Sequence, residues 1–240
     1  EFFVGDAVTG EELSAFSLAN IAPERCTEDD SLIYCLLYEA RHRQSLDGTD
    51  EVIFTFSPLD HSDGYEVGLD DMHGEIHAVS ASGYEPRWSI DRLDFSQVDP
   101  DGLWCVADPD DVCSPHPDSV HKFYHACELF QPHDFSVIQE TESTVELWVA
   151  DTRNFRILRV EVDREDSCAT VLEVLDQQHE DWDIYRSVNS LIAGEGEAPG
   201  GLSADEWLLF TVKDTDFARP QSGGTGKGKV VRFTKNEGSW

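Results

Sequence analysis

Short runs of β-branched and aromatic residues recur along the chain at intervals of about ten to fifteen residues, between clusters of turn-forming residues. Such runs, bounded by turns, are typical of β-strands. The predicted strands are residues 32–38, 52–56, 76–80, 88–93, 135–138, 145–150, 157–162, 170–175, 190–192, 207–212 and 230–233. Their spacing predicts an antiparallel meander and an all-β fold. One helical signal stands out: Thr9 and Glu12 have the spacing of a capping box and predict a short helix over residues 9–18.

The order of these strands repeats along the chain. Residues 133–176 contain four strands joined by turns, residues 188–240 repeat that order with longer loops, and residues 32–95 contain a diverged copy. A repeated four-strand unit of about 40 to 50 residues is typical of the blades of a β-propeller. We therefore predict a single β-propeller-like domain with four-stranded antiparallel blades.

At that repeat length, the 240 residues correspond to about four to six blades. The predicted divisions are an N-terminal strand or short helix (1–30), a diverged blade (31–95), an irregular Cys-, His- and Asp-rich insertion (96–132) and two further blades (133–187 and 188–240). The last copy stops where its fourth strand should begin. Either an N-terminal strand within residues 1–8 completes that sheet and closes the ring, or the chain is a fragment or an open assembly, whose unclosed edge would invite pairing with another chain.

The charge of the chain restricts its partners. There are 49 acidic and 17 basic residues, with a formal net charge of −32, which disfavours nucleic acids and anionic membranes. The acidic residues predict either a solvated coat, as in a high-salt habitat, or cation binding. No stretch approaches the roughly 18 to 20 apolar residues of a membrane span. Because the chain begins at Glu1 and has no N-x-S/T site, we expect an exported, processed protein of the extracellular space or cell surface, from a prokaryotic source.

Cysteine usage agrees with export. The chain has six cysteines, an even number without C-x-x-C spacing, which predicts disulfides formed in an oxidising compartment. They are Cys26, Cys35, Cys105, Cys113, Cys127 and Cys168. Proximity in sequence favours the pairs Cys26–Cys35 and Cys105–Cys113. Buried free thiols in a cytosolic protein are the alternative.

A family resemblance rests on the sequence LWVADTRNFRILRVEV at residues 147–162. A hydrophobic strand that ends in Ala-Asp-Thr, a turn with Asn and Arg, and a following aliphatic strand resemble the repeats of NHL-type propellers. The pair His133-Asp134, the fourth-strand segment 86–91 and the ending VRF…GSW at 231–240 are similar to arylsulfotransferase-like propellers. The resemblance supports the fold more than an activity, because propellers host many unrelated functions.

The arylsulfotransferase resemblance implies a catalytic residue. In that group a histidine on an inner strand acts on the sulfuryl group, with Arg and Asn nearby to stabilise negative charge. His133 matches that position, Asn189 is its counterpart in the last copy, and the earliest copy offers none. Imidazole titrates near neutral pH and can serve as nucleophile or general acid/base. Against this, an anionic ester needs a positive pocket, and a His-Asp pair at a strand start is more often structural.

Two clusters are candidate metal sites. Four histidines and two aspartates lie close together in sequence and could bind zinc or copper, although core and loop histidines are the simpler reading; the residues are His116, Asp118, His121, His125, His133 and Asp134. Acidic loops could bind calcium, the one candidate cofactor, although neither loop fits an EF-hand; the residues are Asp99, Asp101, Asp108, Asp110 and Asp111, with Asp47 and Asp50 in a second loop. The Gly-rich run 222–229 reads as a hairpin loop, not a phosphate loop.

These features together predict a secreted or cell-surface structural or interaction module, leaning away from an enzyme. The expected partners are further copies of the chain, or an extracellular polymer or protein. The alternative is a propeller enzyme of the arylsulfotransferase or lactonase kind that uses His133 or a bound metal. An enzyme predicts that His133 and either Arg153 or Arg186 meet in one axial pocket. Self-assembly predicts that residues 1–8 pair with a neighbour's sheet edge.

Overall fold

The computed structural model describes residues 2–5, 12–16, 33–60, 73–98, 105, 107–108, 111–115, 127–154, 156–175, 188–212 and 229–236. These residues form strands, turns and one 3-10 turn at Thr152–Asn154, and they contain no α-helix. The strands are β1 Phe2–Gly5, β2 Glu12–Phe16, β3 Ile33–Gln44, β4 Asp50–Asp60, β5 His73–Ser80, β6 Pro86–Ile90, β7 Arg92–Asp94, β8 Ala107–Asp108, β9 Asp111–Pro115, β10 Leu129–Phe130, β11 Pro132–Glu140, β12 Thr144–Asp151, β13 Arg156–Asp163, β14 Cys168–Leu175, β15 Val188–Ala198, β16 Leu202–Val212 and β17 Lys229–Lys235. In this part of the chain, no helix is long and apolar enough to cross a membrane.

The strands are arranged in three successive antiparallel meanders, and the predicted all-β class is confirmed. The first meander is β3–β4–β5–β6, the second is β11–β12–β13–β14, and the third is β15–β16–β17. Each predicted strand overlaps an observed one; the run 32–38 starts one residue before β3, and the run 88–93 is divided between β6 and β7.

The second meander is packed between the other two. On β12, Val145, Leu147 and Val149 face a core cluster shared with the first meander. The alternate residues Trp148 and Ala150 face a second cluster shared with the third meander. Since successive side chains of a strand point to opposite faces, a strand that is apolar at both sets of positions is buried on both sides. The three sheets are therefore stacked with the second in the middle, and the described residues form no closed ring.

The first two meanders exchange short strands. β7, which follows the first meander in sequence, pairs in parallel with β14 at the edge of the second. β10, which precedes the second meander, pairs with β5 of the first. The predicted irregular insertion at 96–132 therefore contains structural strands. The two sheets are joined by backbone pairing as well as by packing of their side chains.

The N-terminal region differs from its prediction. The short helix expected over residues 9–18 is wrong, because residues 12–16 of this segment form β2, which pairs with β1 from Phe2↔Phe16 to Gly5↔Glu12. A hairpin ladder pairs backbone groups that a single helical turn leaves unsatisfied. The strand expected within residues 1–8 exists as β1, but it pairs with β2 in a separate sheet and does not complete the third meander.

One disulfide is resolved, and it corrects a predicted pairing. Cys105 bonds to Cys127 across a sequence separation of 22, with a Cα–Cα distance of 4.9 Å. The predicted Cys105–Cys113 bridge is therefore wrong, because Cys105 and Cys127 are both buried in the first core cluster and meet there. Cys168 is also disulfide-bonded. The side chains of Cys26, Cys35 and Cys113 lie outside the described residues.

Candidate functional site

The first strands of the three meanders lie side by side, and each carries a β-bulge. β11 contacts both β3 and β15. The register with the second strand shifts at Tyr38 in β3, at His133 and again at Ile138 in β11, and at Asn189 in β15. Bulges are common next to functional sites because they redirect a side chain. Tyr38, His133 and Asn189 lie at bulges on neighbouring first strands, and we treat them as one candidate site, the bulge cluster.

Sequence reasoning found two members of the bulge cluster and missed the third. His133 and Asn189 were predicted to be counterparts, and the register shows that they are. The earliest copy supplies Tyr38, whose ring stacks on that of His133 with centroids 4.3 Å apart and planes at 16°. The available signal was an aromatic residue followed by an acidic one, as in Tyr38-Glu39 and His133-Asp134.

Directly behind the bulge cluster, Asp134 joins the three first strands. Its side chain is 3% exposed. Its Oδ1 accepts hydrogen bonds from Arg41 Nη2 on β3 at 2.5 Å and from its neighbour Phe135 N at 2.7 Å. Its Oδ2 accepts one from Leu191 N on β15 at 2.6 Å. The same Arg41 group also donates to Leu191 O at 3.3 Å. One carboxylate therefore links β3, β11 and β15.

The environment of Asp134 opposes its charge. Burial raises the pKa of Asp134 to about 6, although the Leu191 amide, Arg41 and the Phe135 amide lower it and nearby Glu39 raises it further. Burial destabilises the ionised carboxylate by more free energy than the two amides and Arg41 return to it. The group therefore remains ionised at neutral pH and becomes protonated in mild acid.

A second candidate site is an open cleft between the turns of the first two meanders. It encloses about 750 Å³. It lies where the β3–β4, β11–β12 and β13–β14 turns meet the start of β6. The residues that line it are Ser45, Leu46, Asp47, Pro86, Arg87, Glu140, Thr141, Glu142 and Arg164. We call it the turn cleft.

An ion-pair network forms one wall of the turn cleft. Glu140 accepts hydrogen bonds from Arg43 and Arg164, from Ser45 Oγ at 2.5 Å and from Leu46 N at 3.2 Å. Burial alone would raise the pKa of Glu140, but Ser45 and the two guanidinium groups together hold it below its usual value. These contacts join the β3–β4 turn to the β11–β12 and β13–β14 turns of the second meander.

A buried carboxyl lies beneath this wall. Glu51 is fully buried, with Arg43 Nε 2.7 Å from its Oε1 and Arg87 Nε 4.0 Å from its Oε2. Neither carboxyl oxygen has a well-aligned hydrogen bond. Burial raises the pKa of Glu51 despite the arginines around it. Arg87 also binds the exposed side chain of Asp47, with Nη2 2.5 Å from Oδ2. This bond is the main reason that the pKa of Asp47 is lowered.

The predicted metal clusters are not brought together in the described part of the chain. Within it, no group of three or more His, Cys, Asp or Glu side chains could hold a metal ion. In the second acidic loop, Asp47 binds Arg87 and Asp50 lies 3.5 Å from His42. Asp108 and Asp111 pair through their backbones as β8 and β9. The side chains of both, and the whole of Asp99, Asp101, Asp110, His116, Asp118, His121 and His125, lie outside the described residues.

The motif that carries the propeller resemblance is a buried structural turn. Asp151 is fully buried and accepts hydrogen bonds from Phe130 N at 2.7 Å, Asn154 Nδ2 at 2.8 Å and Arg156 Nε at 2.7 Å. Thr152 donates to Val188 O at the start of the third meander. The motif therefore joins β10, the β12–β13 connection and β15. The side chain of Arg153 and the whole of Arg186 lie outside the described residues.

The comparisons with known proteins give no family. No family model, curated protein or solved structure matches this chain.

Proposed function

We propose that the protein is a secreted or cell-surface interaction module with a propeller-like arrangement of its meanders. The observation that carries the proposal is how Asp134 is used. Where an enzyme of this design would need an open axial pocket, the carboxylate is buried and bonded to Arg41, Phe135 and Leu191. This arrangement suits a joint that fixes three sheets, and it leaves binding to the turns and sheet edges.

Three features support the propeller-like part of the proposal. The first strand of each meander lies beside that of the next, each of these strands carries a bulge, and the middle sheet is buried on both faces. In a propeller the first strand of every blade lines the axis. A closed ring of about four to six blades is the full form of this proposal.

The turn cleft is the proposed binding surface for a partner. It is open, and it combines the exposed apolar side chain of Leu46, 66% exposed, with arginines and carboxylates that are held in place by their ion pairs. Fixed polar groups around an apolar contact are typical of binding sites. The Cys105–Cys127 bridge is consistent with an oxidising compartment, where the partner would be an extracellular polymer or protein.

An enzyme remains the second candidate because of the bulge cluster. Tyr38, His133 and Asn189 lie at bulges on neighbouring first strands, and a bulge can position an imidazole beside a substrate. The stacking of His133 on Tyr38 favours a structural role for the ring.

One experiment separates these two functions. The purified protein is incubated with aryl sulfates in the presence of a phenol acceptor, and separately with lactones, alongside a His133→Ala variant and a His42→Ala control whose ring is exposed on β3. The proposal predicts no turnover above that of His133→Ala. Turnover that is lost in His133→Ala and kept in His42→Ala, with both variants folded, would refute it.

A further inference from the structure

The third meander ends in β17, which has one edge that pairs with none of the described strands. β17 pairs with β16 and with no other described strand, whereas the first and second meanders have a fourth strand, β6 and β14, beyond the third. Such an edge presents a row of backbone donors and acceptors that can pair with another strand. Its side chains are accessible: Val230 is 69% exposed, and Arg232 is also exposed.

The segment that contains β17 has a charge opposite to that of the rest of the chain. Residues 217–236 hold five of the 17 basic residues and no acidic one, in a chain with 49 acidic residues. The five are Arg219, Lys227, Lys229, Arg232 and Lys235. Lys235 is turned onto the meander, where it binds Glu173 at 2.8 Å. Arg232 donates to Pro199 O at 2.6 Å and remains exposed to a partner.

The complementary segment is the N-terminal hairpin. Residues 1–16 contain four acidic residues and no basic one; they are Glu1, Asp6, Glu11 and Glu12. β1 and β2 pair only with each other among the described strands. An isolated two-stranded hairpin is marginally stable in water, and joining a larger sheet is the usual way in which one is stabilised.

We propose that the β1–β2 hairpin of a second copy adds to the edge of β17, so that the partner supplies the missing fourth strand of the third meander. Backbone hydrogen bonds would provide the affinity, and the acidic hairpin against the basic edge would set partner and register. Reciprocal exchange makes the same contact twice and closes a two-fold dimer. This inference rests on the proposed function as an interaction module.

The test is a charge swap followed by native mass spectrometry and light scattering over a wide concentration range. The wild-type chain is expected to be a dimer at low ionic strength that dissociates as salt screens the contact. Arg232→Glu replaces an attractive cross-strand pair with a repulsive one and is expected to weaken association about tenfold at each contact. Glu12→Lys should do the same, and the double variant should restore the dimer. Arg92→Glu, the same charge change at a half-buried residue of β7, is the control and should leave the dimer intact.

Hydrogen exchange gives a second readout that does not depend on the variants. Amides of residues 229–235 should be more protected in concentrated than in dilute protein. A wild-type monomer at every concentration, a dimer that tolerates both single reversals, or a double variant that is not restored would each overturn the strand addition. A monomer without turnover overturns the strand addition alone, whereas a monomer with His133-dependent turnover overturns the proposed function as well.

Discussion

The Asp134 joint predicts a specific dependence of stability on pH. Its folded-state pKa is about 6, whereas the ordinary value is 3.8. Between these values the folded protein binds more protons than the unfolded chain, so the free energy of unfolding falls as pH rises through this window. The contribution of Asp134 is fully present below the unfolded pKa and is lost as pH rises through about 6.

The magnitude follows from the size of the shift. One pKa unit corresponds to about 1.4 kcal/mol, and most of the titration of Asp134 lies within one unit of its folded pKa. Acidifying the protein from about pH 7 to about pH 5 should therefore add about 1 kcal/mol to the free energy of unfolding through this group. Glu39 and Arg41 are the charged neighbours that set the local field.

The assay compares urea unfolding of the wild type and of Asp134→Asn at both pH values. Asparagine has nearly the same shape and does not titrate, and the other carboxyls titrate alike in both proteins, so their contributions cancel in the difference. The wild type should gain about 1 kcal/mol more than the variant on acidification. Equal gains, or a larger gain in the variant, would refute the reasoning and would mean that the donors around Asp134 outweigh its burial.

Three further predictions concern the joints between the sheets. Cys105→Ser with Cys127→Ser opens a loop of 22 residues and should lower the free energy of unfolding by about 3 kcal/mol; peptide mapping without reductant should find the Cys105–Cys127 peptide and no Cys105–Cys113 peptide. In Gly74→Ala the new Cβ would overlap Pro132 Cδ where β5 approaches β11, and calorimetry should show a loss of about 1 to 3 kcal/mol, whereas Gly83→Ala, with its nearest atom at 3.7 Å, should be nearly neutral. Trp148→Phe removes the hydrogen bond from Nε1 to Glu206 Oε1 at 2.7 Å between the second and third meanders and should cost about 1 to 2 kcal/mol in urea unfolding; a variant as stable as the wild type would contradict that bond.

The sequence predicted the long strands, merged the short β7 with β6 and missed β10, for a physical reason. Each long strand, such as β12 or β13, carries its own hydrophobic run between turns, and this local signal is sufficient to place it. β7 and β10 contain three and two residues and exist because the neighbouring sheet offers an edge, which is a non-local cause. The helix prediction at residues 9–18 failed likewise, because the capping-box spacing is local and the pairing of β2 with β1 is not.

The candidate sites show the same contrast between local signals, which the sequence reveals, and non-local contacts, which it does not. Repeat alignment found His133 and Asn189 because equivalent strands keep equivalent positions. It missed Tyr38, because the first copy has diverged in sequence while keeping the bulge. The turn cleft could not be predicted, since Arg43 and Glu140 are 97 residues apart and meet only when two meanders pack. Asp134 was predicted only as part of a candidate zinc or copper ligand set, and its bonds to Arg41 and Leu191 depend on contacts between strands that are distant in sequence.

The central claim is that three meanders form one unit joined at Asp134, and native-state hydrogen exchange tests it most directly. Amides of β3, β11 and β15 in the wild-type protein should exchange through a single cooperative opening with one free energy, and Asp134→Asn should lower the protection of the Leu191 amide first. If the third meander, β15–β17, exchanges independently of the other two in the wild type, or if Leu191 keeps full protection in the variant, the joint does not hold the sheets together and the account is contradicted.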